Sequence, residues 1–136
     1  MDVILAARQL GKAIQEDERY VKMLISQQKS DEDQELQGMM EAFNHDRMGL
    51  NMELQKHDDE RDDEKIKIID TALKKLYTII FQNENMARYT QTKNDVEQML
   101  AFVNQIISGS ANGQNPDEIE FQESCGGECG GCSGCN

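Results

Sequence analysis

Four cysteines near the C-terminal end of the sequence are the residues whose type and spacing could do chemistry. Cys125, Cys129, Cys132 and Cys135 have the spacing C-x3-C-x2-C-x2-C, and the sequence contains no other cysteine. The glycines between them permit positive φ, so that the backbone can turn tightly and direct amide N–H groups at sulfur. Thiolates that converge in this way are what a polynuclear metal centre needs.

Three kinds of site fit these four thiols. An iron–sulfur cluster is commonly ligated by a C-x2-C-x2-C run, which Cys129, Cys132 and Cys135 supply, and Cys125 precedes that run. Zinc more often uses two C-x2-C knuckles separated by a longer spacer than the two residues between Cys129 and Cys132. Free or redox-active thiols are the third kind. The spacing favours a metal and leaves its identity open, whereas a disulfide framework is disfavoured because no earlier cysteine could be paired.

The residues around the thiols are glycine, serine and glutamate, which are too small or too polar to bury a metal cluster. An iron–sulfur cluster that is open to water and oxygen is labile. We therefore expect a partner chain, or a second copy of this chain, to cover the site or to contribute ligands.

Composition indicates an all-helical protein. The 136 residues suffice for one domain with a modest core, and they include one proline and no tryptophan. Glu, Gln, Lys, Leu, Ile and Met, which favour helices, are abundant. We predict an all-α fold, an antiparallel helical bundle of four to five helices with a flexible Gly/Cys-rich C-terminal tail.

Charge and motifs exclude several classes of function. A formal net charge of −12 argues against direct nucleic-acid binding, because phosphate contacts require a basic face. No apolar run approaches the length of a membrane span, and residues 1–20 do not resemble a signal peptide, so we expect a cytoplasmic protein. Residues 1–107 contain no phosphate loop, catalytic triad or metal-binding histidine pair. We expect neither enzymatic activity nor a small-molecule substrate.

Hydrophobic periodicity predicts the helices and their caps. Apolar residues recur at three- and four-residue steps in 2–16, 17–29, 31–56, 62–82 and a last helix that Asn83 or Asn85 caps. Residues 2–29 are compatible with one bent helix or with two. We expect Asp17 to cap the second helix, Asp31 to cap the third in a capping box with Gln34, and Gly109 to end the last. Gly11, within the first helix, suggests close approach of another helix.

The same periodicity predicts which side chains face inward. In the second helix these are Tyr20, Met23 and Leu24, with Val21 as a weaker candidate. In the third helix the methionines are read as ordinary core residues: Met39, Met40, Met48 and Met52. The fourth helix has a heptad seam and a second apolar strip, which place it at the centre of the bundle or at a subunit interface. The seam is Ile66, Ile69, Leu73, Leu76 and Ile80; the strip is Ile68, Tyr77, Ile79 and Phe81.

Polar clusters in the middle of the chain are read as surface features. The acidic stretch 57–64 is interpreted as a loop that also favours the next helix N-terminus, not as a cation site. His45 and His57, the only histidines, are predicted to be surface residues.

The domain organisation follows from a change of composition after the last helix. We predict a helical bundle over 1–107, a flexible linker over 108–124 and a cysteine-rich metal-binding tail over 125–136. Within the linker, 117–121 could form a short docking segment.

Several stretches resemble the YlbF/YmcA family of small helical bacterial proteins, in particular its cysteine-tailed YlbF-like branch. They are 10–20, the capped Asp31 helix with Phe43, 85–89 and 96–107. The resemblance covers residues 2–107, and the cysteine tail that follows this helical body is its sharpest feature.

The resemblance implies a non-enzymatic regulatory subunit. YlbF-like proteins act with YmcA and YaaT in a cytoplasmic complex that carries iron–sulfur clusters. That complex engages ribonuclease Y and directs mRNA maturation, which affects competence, sporulation and biofilm formation. Cys125, Cys129 and Cys132 match the family's tail spacing, and Cys135 is a further candidate ligand. On this basis the expected cofactor is an iron–sulfur cluster of the 4Fe-4S type, with zinc as the alternative.

The expected function is therefore that of an adaptor which forms homo- or hetero-oligomers through its Ile, Leu and Met seams. Its expected partners are YmcA-like and YaaT-like subunits and ribonuclease Y. Three alternatives stay open: a zinc-stabilised helical adaptor, a redox-active thiol or electron-carrier protein, and a plain helical scaffold whose tail is an appendage.

Overall fold

A computed structural model describes residues 1–123, which contain five α-helices and no strand. The prediction of an all-α protein with four to five helices is confirmed. The helices are α1 (Val3–Glu16), α2 (Glu18–Glu32), α3 (Gln34–Leu54), α4 (Asp63–Gln82) and α5 (Glu84–Ala111), and a 3₁₀ helix follows at Pro116–Glu118. Residues 1–94 form one compact unit, and a second unit begins at Asp95, within α5. Among residues 1–123, no helix combines the length and the apolarity needed to cross a membrane.

A single residue in extended conformation separates α1 from α2, α2 from α3 and α4 from α5. Asp17, with φ −67° and ψ 138°, ends α1 and caps α2, as predicted. Its carboxylate accepts hydrogen bonds at 2.9 Å from the backbone N–H, Nε and Nη2 of Arg19. The Arg19 side chain is the main reason that the pKa of Asp17 is lowered to about 2. The bend between α1 and α2 is thus fixed by charge-assisted hydrogen bonds.

The joint between α2 and α3 lies at Asp33, so the predicted cap at Asp31 is wrong. One carboxylate oxygen of Asp33 accepts from the Leu36 N–H at 3.0 Å. The other accepts from the side-chain amides of Asn83 at 3.2 Å and Asn85 at 3.0 Å. Both aspartates have a good capping side chain, but only Asp33 lies where two amides from another part of the unit reach it.

The joint between α4 and α5 lies beside the Asp33 joint. Of the two predicted caps, Asn83 is the one used, and its side chain accepts from the Met86 N–H at 3.0 Å. The Ser30 hydroxyl donates to the Asn85 carbonyl at 3.1 Å. The α2–α3 and α4–α5 joints therefore bond to each other directly.

The core of the first unit lies between α3 and α4, which pack against each other. Leu36 is fully buried, and Leu73 and Ile80 of the predicted seam are buried as well. Gly49 of α3 lies close to this seam, since a Cβ added there would be 3.9 Å from the Ile69 Cδ1. The inward orientation of the seam is confirmed, and the seam is used within the chain.

The turn from α3 to α4 is organised by Glu53, whose side chain is almost completely buried. Its carboxylate accepts from the Asp62 N–H at 2.9 Å and pairs with Lys56 at 2.8 Å and Lys65 at 3.8 Å. The hydrogen bond from Lys56 is the main cause of the lowered Glu53 pKa, and the bond from the Asp62 amide adds to it. The acidic stretch 57–64 is a loop followed by the start of α4, as predicted.

Two predictions about inward-facing residues are wrong. Met48 and Met52 are 64% and 67% exposed, because they lie on the arc of α3 opposite Leu36. In α2, Leu24 and Val21 are exposed, whereas Ser26 and Ser30 are buried.

The two buried serines of α2 are accommodated in the interior because each hydroxyl has a hydrogen-bond acceptor. The Ser26 hydroxyl donates to the Lys22 carbonyl at 2.8 Å, and Ser30 bonds to Asn85, so neither hydroxyl is buried without a partner. Hydrophobic periodicity does not detect polar residues that are satisfied in this way.

Leu36→Ala should lower the free energy of unfolding by about 2–5 kcal/mol, because a fully buried leucine is removed and a cavity is left. Urea denaturation followed by circular dichroism measures the change. Met48→Ala, on the exposed arc of the same helix, is the matched control and should change stability by no more than about 0.5 kcal/mol. Equal effects of the two substitutions would contradict the placement of the core.

Asp33→Asn should destabilise the protein although asparagine is a good helix cap. It keeps an oxygen for the Leu36 amide but loses the acceptor of the Asn83 and Asn85 amides. The pKa of Asp33 is lowered, first by the hydrogen bond from the Leu36 N–H and next by that from the Asn85 side chain. The stabilisation from these bonds is therefore fully present above pH 3.8, the ordinary pKa of aspartate, and is lost as the pH falls through the lower pKa of Asp33 in the folded protein.

The urea midpoint of Asp33→Asn should therefore lie below that of the wild type at pH 7, and the gap should shrink in acid. Asp2→Asn is the control, since Asp2 caps α1 by accepting from the Leu5 N–H at 3.0 Å, a role that asparagine can fill. A gap that is absent at pH 7, or that widens on acidification, would rule out the cross-helix role of Asp33.

Candidate functional site

The four predicted ligands, Cys125, Cys129, Cys132 and Cys135, lie outside the described residues. The structure instead describes the segment that leads to them, residues 112–123. The contacts between this segment and α5 fix the position of the chain just before the first cysteine.

Helix α5 ends in a Schellman motif. Gly113 has φ 88°, and its N–H donates to the Ser110 carbonyl at 3.0 Å. The Gln114 N–H donates to the Gly109 carbonyl at 3.0 Å, which completes the pattern of two crossed hydrogen bonds. The helix thus continues beyond Gly109, the predicted end, to Ala111. Gly113 is the residue whose missing Cβ permits the left-handed turn.

A second turn follows at once. The Asn115 side chain accepts from the Asp117 N–H at 3.2 Å and caps the 3₁₀ helix, and Pro116 occupies its first position. Proline is favoured there because it has no N–H that needs a partner. These two turns reverse the chain, so that residues 119–122 run back along α5.

Two apolar contacts attach this returning segment to α5. The Ile119 side chain packs on Gly109, which is buried. The rings of Phe102 and Phe121 meet edge to face, with centroids 5.8 Å apart and an interplanar angle of 73°. The chain segment predicted to dock, 117–121, therefore docks on the α5 helix of its own chain.

Gln105 makes the polar part of this attachment. Its Nε2 donates to the Gln122 carbonyl at 2.6 Å, and its Oε1 accepts from the Gln122 N–H at 2.9 Å. Both backbone groups of Gln122 are thus bonded to one side-chain amide, as they would be to a neighbouring strand. Gln122 is therefore held at the side of α5, and the first predicted ligand, Cys125, follows three residues later in the sequence.

The division into a helical bundle, a linker and a metal-binding tail, with boundaries at 107/108 and 124/125, stays a prediction. Helix α5 crosses the first boundary, and Ile119, Phe121 and Gln122 of the predicted linker contact α5.

Other chemistry-bearing side chains are not assembled into a site. Within residues 1–123, no three His, Cys, Asp or Glu side chains are placed so that they could hold a metal ion. His45 and His57 are exposed, as predicted. The carboxylates whose pKa is lowered are helix caps or members of ion pairs, as for Asp17, Asp33 and Glu53.

Sequence reasoning missed Gln105 and Gly113. The signal for Gly113 is present in the sequence, because Asn112-Gly113 with Pro116 shortly after is typical of a helix C-terminus. Gln105 carries no such signal, since one glutamine among many is recognised only when the chain that it bonds has been placed.

The fold and the docking of residues 119–122 on α5 define a class of protein. It is an all-α protein in which the segment after the last helix packs on that helix and is followed in the sequence by four cysteines. A family model described as "Control of competence regulator ComK, YlbF/YmcA" matches residues 3–111. The chain belongs to the YlbF/YmcA family, as the resemblance indicated, and the description of the family supports a regulatory role. No match is found among curated proteins or among solved structures.

Gly109→Ala should loosen the docked segment. The new Cβ would lie 2.6 Å from the Ile119 Cδ1 and 2.7 Å from the Gln114 Oε1, so both side chains must shift from their positions against α5. Since overpacking costs typically about 1–3 kcal/mol, the Gln122 amide should exchange with deuterium about tenfold faster or more. Gly38→Ala, where an added Cβ meets nothing within 4 Å, is the control and should leave that exchange rate unchanged. An unchanged rate in Gly109→Ala would argue against the docked arrangement.

Proposed function

We propose that the chain is a non-enzymatic regulatory subunit whose four C-terminal thiols ligate an iron–sulfur cluster of the 4Fe-4S type. The observation that carries the proposal is the C-x3-C-x2-C-x2-C spacing, which follows a helical body of the YlbF/YmcA family. The proposed ligands are Cys125, Cys129, Cys132 and Cys135.

The chemistry of the donor set supports a cluster. Four thiols are present and no histidine lies among them, and thiolates are the usual ligands of iron–sulfur clusters. Thiolates also suit zinc, so a zinc-stabilised adaptor is the second candidate. The cluster is preferred because the cysteine-tailed branch that this chain resembles acts in iron–sulfur complexes.

Attachment of the tail to α5 supports a site at an interface. Hydrogen bonds from Gln105 hold Gln122 beside the helix, so a cluster bound by the following residues would be carried next to the helical body. A partner that contacts α5 could then cover the cluster and sense its presence. Bound iron would supply a redox-sensitive link between subunits, and the residues of this chain would position it.

The proposed partners are YmcA-like and YaaT-like subunits in a cytoplasmic complex that engages ribonuclease Y. In this proposal the ribonuclease supplies the RNA chemistry, since a chain with a net charge of −12 is poorly suited to bind RNA by itself. The regulatory outcome would be altered mRNA processing, with effects on competence, sporulation and biofilm formation.

Anaerobic purification, alone and with the proposed partner chains, followed by iron, acid-labile sulfide and zinc analysis tests the proposal. Iron and sulfide in near-equal amounts are expected, and Cys129→Ser with Cys132→Ser should reduce both to background because half of the thiolate ligands are lost. Ser124→Ala with Ser133→Ala is the matched control, which alters the same tail but keeps every thiol.

The other outcomes decide between the remaining candidates. Zinc without sulfide would replace the cluster by a structural zinc site, and absence of metal in every preparation would overturn both. If the cluster forms but the serine variant supports normal processing of ribonuclease Y substrates in cells, the regulatory part of the proposal fails while the metal assignment stands.

A further inference from the structure

The face of α5 that holds the C-terminal segment recognises backbone as well as side chains. Both backbone groups of Gln122 bond to the Gln105 amide, at 2.6 Å for the carbonyl and 2.9 Å for the N–H. An amide that bonds both groups of one residue holds an extended chain as a neighbouring strand would, whatever side chain that residue carries. Residues 102, 105 and 109 therefore form a recognition site for an extended peptide, which we call the α5 site.

The two other residues of the α5 site give it specificity. The Phe102 ring meets the Phe121 ring edge to face, at a centroid distance of 5.8 Å. Gly109 leaves room for the aliphatic side chain of Ile119. The α5 site thus selects an aliphatic residue followed, two positions later, by an aromatic one. Both are present in the docked segment, residues 119–122.

The docked segment is held by few contacts, and these are open to solvent. Both hydrogen bonds from Gln105 are exposed, and Phe121 is 40% exposed. Because ordering the backbone of these residues costs conformational entropy, a small number of exposed contacts stabilises the docked position only weakly. The docked segment therefore detaches by local opening, without unfolding of α5.

Docking within one chain depends on the turn at Gly113. Its φ of 88° is a conformation that glycine adopts readily and other residues do not. The contacts in the α5 site do not involve this turn, since the docked segment touches only residues 102, 105 and 109 through them. A docked segment that comes from another molecule can make the same contacts.

Charge and chain length both permit this. Residues 98–111 of α5 carry no charged side chain, so an incoming acidic segment meets no like charge there. The connecting residues 112–118 span at most about 23 Å when extended, roughly twice the diameter of a helix with its side chains. Every copy of the chain carries both the α5 site and a segment that fits it.

We propose that two copies of the chain exchange their docked segments, so that residues 119–122 of each copy occupy the α5 site of the other. The exchange is self-complementary, as a two-fold interface requires, and it keeps every contact of the closed chain except the turn at Gly113. That turn sets the balance between the closed chain and the exchanged pair. The exchange supplies a contact for the oligomer in the proposed function but does not depend on the iron–sulfur cluster.

A mixture of two full-length variants tests the exchange directly. Gln105→Glu removes the amide donor of the α5 site and keeps the docked segment, whereas Phe121→Ser alters the segment and keeps the site. Only the Gln105→Glu chain is labelled with ¹⁵N, and each chain is present at about 1 mM, the effective concentration of a short tether. Adding the Phe121→Ser chain should slow deuterium exchange of the labelled Gln122 amide at least about threefold, because the labelled segment gains an intact site.

Two controls belong to this mixture. An unlabelled chain with both substitutions has no intact site and should leave the exchange rate unchanged. Asn104→Asp, the same kind of change at an exposed neighbour of Gln105, should keep the wild-type exchange rate of Gln122 in the unmixed chain. An unchanged rate in the first mixture, or equal slowing by the doubly substituted chain, would overturn the exchange.

Gly113→Ala should shift the balance toward the exchanged pair. An added Cβ there meets nothing within 4 Å, but alanine is strained at a φ of 88°, so the closed chain is disfavoured. Because both copies avoid the turn in the pair, the dissociation constant from sedimentation equilibrium in reducing buffer should fall at least about tenfold. Gly38→Ala, where a Cβ also meets nothing within 4 Å and φ is not positive, is the control and should leave it unchanged.

Combining Gly113→Ala with Gln105→Glu locates this effect. The tighter association should disappear, because neither copy then offers an intact α5 site. Persistence of the effect in the combined variant, or a dissociation constant that Gly113→Ala leaves unchanged or raises, would show that the exchange is wrong. Circular dichroism should show wild-type helix content throughout, since the substitutions lie on partly exposed residues or beyond the end of α5.

A last comparison separates the exchange from metal binding. In a chain with Cys129→Ser and Cys132→Ser, the addition of Gly113→Ala should tighten association by the same factor. Loss of the effect in that chain would mean that the association depends on the thiols, which contradicts the exchange. Absence of iron from every preparation would overturn the cluster and leave this result unchanged.

Discussion

The carboxylate of Asp33 is the interaction on which the arrangement of the helical unit 1–94 depends. It ends α2, caps α3 and accepts the side-chain amides of Asn83 and Asn85 at the joint of α4 and α5. Ser30 adds a hydrogen bond to the Asn85 carbonyl. The α2–α3 joint and the α4–α5 joint, about fifty residues apart in sequence, are thereby held next to each other.

Much apolar surface of the unit 1–94 is exposed. In this unit α3 and α4 bury Leu36, Leu73 and Ile80, whereas no residue of α1 is fully buried. An apolar helix face left open in this way is typical of a protein that functions by binding other chains. This agrees with the regulatory role indicated by the family.

The C-terminal segment is held differently from the helices of the first unit, because among the described residues its side chains and backbone contact α5 alone. The turn at Gly113 reverses the chain, and Phe121 and Gln122 then lie along α5.

The sequence by itself determined the helical class, the approximate bounds of the five helices, the cap at Asp17 and the family, because periodicity and capping are local properties. Only the tertiary structure selected Asp33 over Asp31, since both can cap a helix and only Asp33 meets the asparagine amides. The tertiary structure also decided that the serines of α2 are buried and that Met48 is exposed. Burial at these positions depends on the neighbouring residues in the fold and not on the apolar pattern of the sequence. The attachment of Gln122 to Gln105 belongs to the same group, because a hydrogen bond across seventeen residues leaves no mark in the sequence.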